Sequence, residues 1–193
     1  MVFNAGSLPV DLKEIYSNSV GAQFGQDALD KTIFASFIGV GIIYLFMLGF
    51  YRLPGLVAII ALTTYIYLTL VAFNFISGVL TLPGLAALVL GVGMAVDANV
   101  LINERIKEEL KNGRSVQQAI HEGYKGAFSS IVDANITTLI TAVILYAVGT
   151  GSIKGFAITT AIGVATSMFT AIVGTRAIVN LLYGGKRINK LSI

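Results

Sequence analysis

The chain of 193 residues is 55% hydrophobic and only 12% charged, with a formal net charge of +3 and a mean hydropathy of +0.83. Soluble domains carry roughly 25% charged residues, so a soluble enzyme is excluded, and a nucleic-acid partner with it: the basic residues flank apolar runs and read as topology signals. Cysteine is absent and His121 is the single histidine, which removes thiol chemistry and the usual metal-ligand sets. No metal and no cofactor is expected, and the surroundings are a lipid bilayer.

Residues 1–30 differ from all that follows. Asn4 to Leu12 is short, mildly apolar and punctuated by turn residues, like the last strand of a soluble domain. Met1 to Pro9 lack the basic start and long apolar stretch of a cleavable signal peptide. Gln26-Asp-Ala-Leu-Asp30 carries acids into the first turn of a helix, which suits the helix dipole. Ile33 to Tyr51 is an uncharged run of 19 residues, enough to cross a hydrocarbon core of about 30 Å. Arg52-Leu-Pro-Gly55 predicts a tight turn and a return over 54–74.

A third span starts at Pro83, whose place suits a first helical turn. It runs to about Leu110, too long for the bilayer alone, so its charged end beyond 104 projects into water. Asn112-Gly113 breaks it, and Ser115-Val-Gln-Gln118 predicts a capping box that starts a short amphipathic helix over 115–124. Val116, Ala119, Ile120 and Tyr124 form its apolar stripe, expected to lie on the membrane surface. A fourth span follows over 129–148, a hairpin over 149–155, a fifth span over 156–182 and a basic tail over 185–193. The fold class is therefore an all-α polytopic bundle of five transmembrane helices.

Five spans put the termini on opposite sides, and charge orients them. Arg52, Arg105, Lys107, Lys111, Arg114, Lys125, Lys186, Arg187 and Lys190 fall on one side, against Lys13, Lys31 and Lys154 on the other. The first side is expected to be cytoplasmic, with the C-terminus there and the N-terminal tail outside. A strand-like tail delivered outside without a preceding span implies a piece of a longer protein.

Three ionisable residues sit in apolar surroundings. Asp97 lies eight residues from Arg105, Asp133 eight from Lys125, and Arg176 ten from Lys186, each about 12–15 Å deep. An aspartate at membrane depth costs roughly 2.5–3.5 kcal/mol on insertion scales. It is kept when it is paired or when its proton is useful, and a structural pair with Arg176 is the plainer alternative. Asn99, Asn135, Thr137 and Thr138 read as hydrogen-bonding groups between helices. Small residues recur every fourth position at Ala87, Gly91, Ala95, Asn99 and at Gly163, Ser167, Ala171, Thr175, a pattern that lets helices approach closely in lipid. Gly91, Gly93, Ala95, Gly163, Ser167 and Ala171 are the candidate packing positions. Asp97 stands about 200° round its helix from the Ala95/Asn99 stripe, on a face with Gly93 and Glu104, turned toward a second bundle.

The block Gly93-Met-Ala-Val-Asp-Ala-Asn-Val-Leu-Ile-Asn-Glu-Arg-Ile-Lys-Glu-Glu-Leu110 resembles the fourth transmembrane helix of the SecD family of bacterial protein-export subunits. Asp133 to Leu139 and Gly149 to Phe156 resemble the family's fifth helix and the hairpin after it. Asn4 to Pro9 and Gln26 to Asp30 resemble the end of its first extracytoplasmic domain and the lead-in to its second helix. The resemblance covers nearly the whole chain. It implies one pseudo-symmetric half of a resistance-nodulation-division type membrane domain, in the bacterial inner membrane, working with a SecF half beside the SecYEG channel on a translocating preprotein. It implies that Asp97 is the proton-relay aspartate, that protons are the coupling ion, and that Asn135, Thr137 and Thr138 are the polar run of the fifth helix. Where SecF carries the arginine that completes the relay, this chain has Ile140. The runner-up function is a related exporter of lipids or small molecules. An intramembrane aspartyl protease fits less well, because Gly93 and Asp97 are separated by Met-Ala-Val rather than joined in a Gly-x-Gly-Asp block.

Overall fold

A computed structural model of the chain describes residues 22–76, 81–175 and 177. The expected strand-like tail of 1–21, Arg176 and the basic tail of 185–193 lie outside the described residues. Every regular element within them is helical: α1 (Ala22–Phe75), α2 (Leu82–Lys111), α3 (Val116–Val148) and α4 (Ser152–Phe169), which continues as a π-helical segment over Thr170–Thr175. All four α-helices are long and apolar enough to cross a membrane.

Four long helices stand where five spans were expected, because the first two are joined in α1. That helix is not straight. Arg52 inside it has φ 47° and ψ −112°, and Tyr44 shares a hydrogen bond of 2.7 Å with Thr63, nineteen residues away. In a straight helix those residues would be about 28 Å apart. The chain therefore doubles back at Arg52, and two arms, 22–51 and 53–75, lie against each other. Gly55 makes the reversal possible, since a β-carbon there would overlap the carbonyl oxygen of Met47.

The second correction concerns α3. The expected surface helix over 115–124 and the span from 129 are a single 33-residue helix, about 50 Å long. Its start is as predicted: the Ser115 Oγ accepts from the Gln118 amide at 3.4 Å, and the Gln118 side chain accepts from the Ser115 N–H at 3.3 Å. What differs is that the helix continues through Gly123, where a β-carbon would meet Ile106 Cγ1 at 2.6 Å and the Ile106 backbone nitrogen at 2.8 Å. The glycine lets α3 lie directly on α2. Ala119 and Ile120 are buried against Ile102 and Ile106, with Val116 and Tyr124 packed at the margin, so the apolar stripe is covered by α2 and not by the membrane surface.

The two long helices are also fastened at the end where they meet. Asn112 caps α2 by donating its N–H to the Glu108 carbonyl at 3.1 Å, and Gly113 turns the chain with φ 83°. Arg114 then bridges Glu109 of α2 at 3.0 Å and Glu122 of α3 at 3.8 Å. At the opposite end Thr81 accepts from the Gly84 amide at 3.2 Å and donates to the Ser152 carbonyl at 3.4 Å, tying the start of α2 to the start of α4.

Large apolar side chains point outward over most of the surface. Phe37 and Leu45 are 75% and 73% exposed, as befits a surface solvated by lipid chains. The interior combines small residues, with Ala87, Ala95, Ala98, Ala157 and Ala171 buried, and larger ones such as Met47, Leu62, Tyr65 and Ile102. The small residues let the backbones approach closely.

Candidate functional site

Two residues apart on α2, Asp97 and Asn99 face opposite ways. Asn99 is 2% exposed and its amide donates to the Ala95 carbonyl at 2.9 Å. Asp97 is exposed. A two-residue step rotates about 200° on a helix, and neighbouring side chains show where Asp97 stands. Val96 and Val100 pack on Met47, Tyr51 and Ala58 of α1; Leu101 lies at the margin of a cluster that joins α2 to α3 through Ile102, Ile106, Ala119, Ala127 and Ile131, with Val57 of α1. Asp97 thus occupies a seam of α2, bounded by α1 on one side and α3 on the other and open outward. Among the described residues it joins no ion pair.

Gly93 shares that seam. It is exposed, and a β-carbon there would meet nothing within 4 Å. Its expected packing role within the chain is therefore corrected, since it lies two residues from both Gly91 and Ala95 and inherits the outward direction. One heptad beyond Asp97 comes Glu104, also exposed, whose Oε1 accepts a hydrogen bond of 2.9 Å from the Tyr51 hydroxyl. Tyr51 is 4% exposed and precedes the reversal at Arg52.

On α3 the expected polar run bonds to its own helix. Asn135, half-buried, donates to the Ile131 carbonyl at 2.7 Å. Thr137 donates to the Asp133 carbonyl at 2.9 Å and Thr138 to the Ala134 carbonyl at 3.0 Å. Asp133 is exposed, with Ser129 Oγ at 3.5 Å from its Oδ2. These bonds satisfy the hydroxyls without a partner helix, which is why the run can sit on an outer face at modest cost.

The small-residue stripes do meet. Gly91, Ala95, Gly163, Ser167 and Ala171 are all buried. A β-carbon on Gly91 would overlap the Tyr65 hydroxyl, and one on Gly163 would lie 3.1 Å from it and 4.0 Å from the Gly91 Cα. The Tyr65 ring, 1% exposed, therefore fits its oxygen into the narrow gap between α2 and α4. Sequence reading missed this, since nothing marks Tyr65 among the apolar residues around it. Nearby, Thr69 of α1 and Thr166 of α4 share a 2.8 Å hydrogen bond, a type of interhelical contact contributing about 0.6–2 kcal/mol in membranes.

The chain thus has a few buried polar groups, such as Thr69 and Asn99, within an apolar interior and a separate acidic seam on its outside. With that division in view, the comparisons with known proteins are decisive. The family profile described as "Protein export membrane protein SecD/SecF, C-terminal" matches residues 4–184. The chain belongs to the SecD/SecF protein-export family. It is 58% identical to the protein translocase subunit SecD of Escherichia coli, over 100% of this chain and 32% of that protein. It is 57% identical to the protein translocase subunit SecDF of Bacillus subtilis, over 94% of this chain and 25% of that protein. The crystal structure of the translocon-associated membrane protein SecDF from Thermus thermophilus superposes with a TM-score of 0.85 and 41% identity, covering 89% of this chain and 24% of that one. The chain spans about a third of the length of the SecD subunit it matches, and the matched relatives are named as translocase subunits. Membership in this family accords with the four long apolar helices and makes the chain part of a multi-pass membrane protein.

Proposed function

We propose that this chain is the membrane portion of a SecD-type subunit that couples proton movement to preprotein export. The observation that carries the reading is the placement of Asp97: a carboxylate in an apolar helix, turned away from the chain's own interior into an open seam. A carboxylate needed only for internal packing would face inward, as Asn99 does. One facing outward in lipid is costly unless a partner surface covers it. The match to SecDF supports a SecF half as that partner, supplying the cation that Ile140 does not.

With α1 counted as two arms, the bundle makes five crossings and forms one half of a resistance-nodulation-division type domain in the bacterial inner membrane, its C-terminus cytoplasmic. Its partners are SecF, the SecYEG channel and the preprotein; protons are the coupling ion, and the subunit transports rather than catalyses. A reporter fused after Ile193 is expected to be active on the cytoplasmic side, and the opposite result removes the five-crossing topology.

The mechanism follows from what a carboxylic acid can do. Asp97 accepts a proton from the outer side, becomes neutral, loosens its hold on the partner's cation, and recovers that hold when the proton leaves. The two charge states favour different separations of the halves, so proton flow becomes motion. Asp97→Asn keeps the shape but carries no proton. In the full-length protein it should leave folding and SecF binding intact and abolish proton-driven export, while Asp97→Glu keeps part of the activity. Normal proton-driven export by Asp97→Asn overturns the relay.

A further inference from the structure

A proton released by Asp97 must still reach water. Along α2 the next acid on the same face is Glu104, one heptad on. Seven residues return a helix to within about 20° of its starting direction and advance it about 10 Å. That distance is too long for direct transfer and suits a short file of water molecules in the open seam between α1 and α3.

Glu104 also differs from the other acids of this segment in how it is held. The Tyr51 hydroxyl, on a side chain that is itself buried, donates to Oε1 at 2.9 Å, leaving Oε2 free of that bond. Glu108 is paired with Arg105 at 3.0 Å and Glu109 with Arg114 at 3.0 Å. Beside Glu104 lies a surface cleft of about 310 Å³, lined by Leu101, Glu104, Arg105, Lys107, Glu108 and Lys111. The cleft brings the Glu104 and Glu108 carboxylates together with Arg105, Lys107 and Lys111, and Tyr51 of α1 reaches Glu104 from outside α2.

We propose that Glu104 is the exit carboxylate of the proton path, positioned by Tyr51. The proposal rests on the reading of Asp97 above. The proton leaves the Asp97 carboxyl through water and is taken up at Glu104, so Asp97 returns to the carboxylate as Glu104 becomes neutral. Glu104 then passes the proton to water in the cleft and is again an anion beside Arg105, Lys107 and Lys111. No other group changes charge.

The test uses the full-length protein with its SecF partner in sealed vesicles, with proton-driven export as the readout. Glu104→Gln retains an oxygen that accepts from Tyr51 but carries no proton. It is expected to slow the driven step roughly tenfold or more, and imidazole on the cytoplasmic side, a small diffusible base, should restore much of the loss. Asp97→Asn should stay inactive with or without imidazole. Tyr51→Phe should give a smaller loss, with Glu104 still able to titrate. If Glu104→Gln matches the unmodified protein while Asp97→Asn is inactive, the exit role is wrong and the relay stands. If Glu104→Gln is slow, unresponsive to imidazole and matched by Tyr51→Phe, the pair is only a structural tie and the proposal fails. An active Asp97→Asn removes the relay itself.

Discussion

The turn at Arg52 and the turn at Gly151 share one backbone conformation, φ 47° and ψ −112° in the first, φ 47° and ψ −116° in the second. Each residue stands at the start of a helix, 53–75 in the one case and α4 in the other. Each turn also carries a glycine at a point of close approach: Gly55 against the Met47 carbonyl, Gly149 against the Leu145 carbonyl. What differs is the residue at positive φ. Glycine adopts it freely, whereas a residue with a β-carbon held there is strained by about 1–3 kcal/mol. The strained turn directly follows Tyr51, which holds Glu104; the relaxed one joins α3 to α4, away from both seam acids. Strain therefore sits beside the acidic seam and is absent where the chain only needs to reverse.

This contrast can be broken by substitution. Gly151→Ala places a β-carbon in the strained conformation and should lower stability by about 2 kcal/mol, read as a lower midpoint of thermal unfolding in detergent. An unchanged midpoint means that the turn relaxes and the two are not equivalent. A smaller effect of opposite sign is expected at the other turn. Arg52→Gly relieves the backbone but loses the guanidinium and adds freedom to the unfolded chain, for a net gain of about 1 kcal/mol. Arg52→Ala also loses the guanidinium but keeps the strain, so it should fall below Arg52→Gly by about the Gly151→Ala difference. If Arg52→Ala equals Arg52→Gly, the strain is not in the backbone.

Much of this architecture was legible in the sequence where local chemistry decides the outcome. The bounds of α2 follow from Pro83 and Asn112-Gly113, the start of α3 from Ser115 and Gln118, and the outward direction of Asp97 from its angular offset to the Ala95/Asn99 stripe. Other features depend on what lies across the fold. Gly123 is a contact point only because Ile106 lies opposite. Gly93 belongs by composition with the packing glycines and by rotation with Asp97. The Tyr51–Glu104 bond joins residues 53 positions apart, and nothing in either local segment announces it. The π-helical segment over Thr170–Thr175 also interrupts the every-fourth-residue pattern through Ala171, so a stripe drawn on α-helical spacing cannot be extended through it to Thr175.

The fastening of α2 to α3 by Arg114 has a mechanical meaning. Arg114 ties the two helices at one end, and Gly123 packs on Ile106 within that same end. From Asp97 to the end of α2 at Lys111 is about 21 Å. A tilt of roughly a tenth of a radian about the seam, a shift of an ångström or less among the side chains there, would swing the clamped tip by about 2 Å. If the Asp97 relay holds, a hairpin tied in this way would carry a small change at that carboxylate to its far end as a larger displacement.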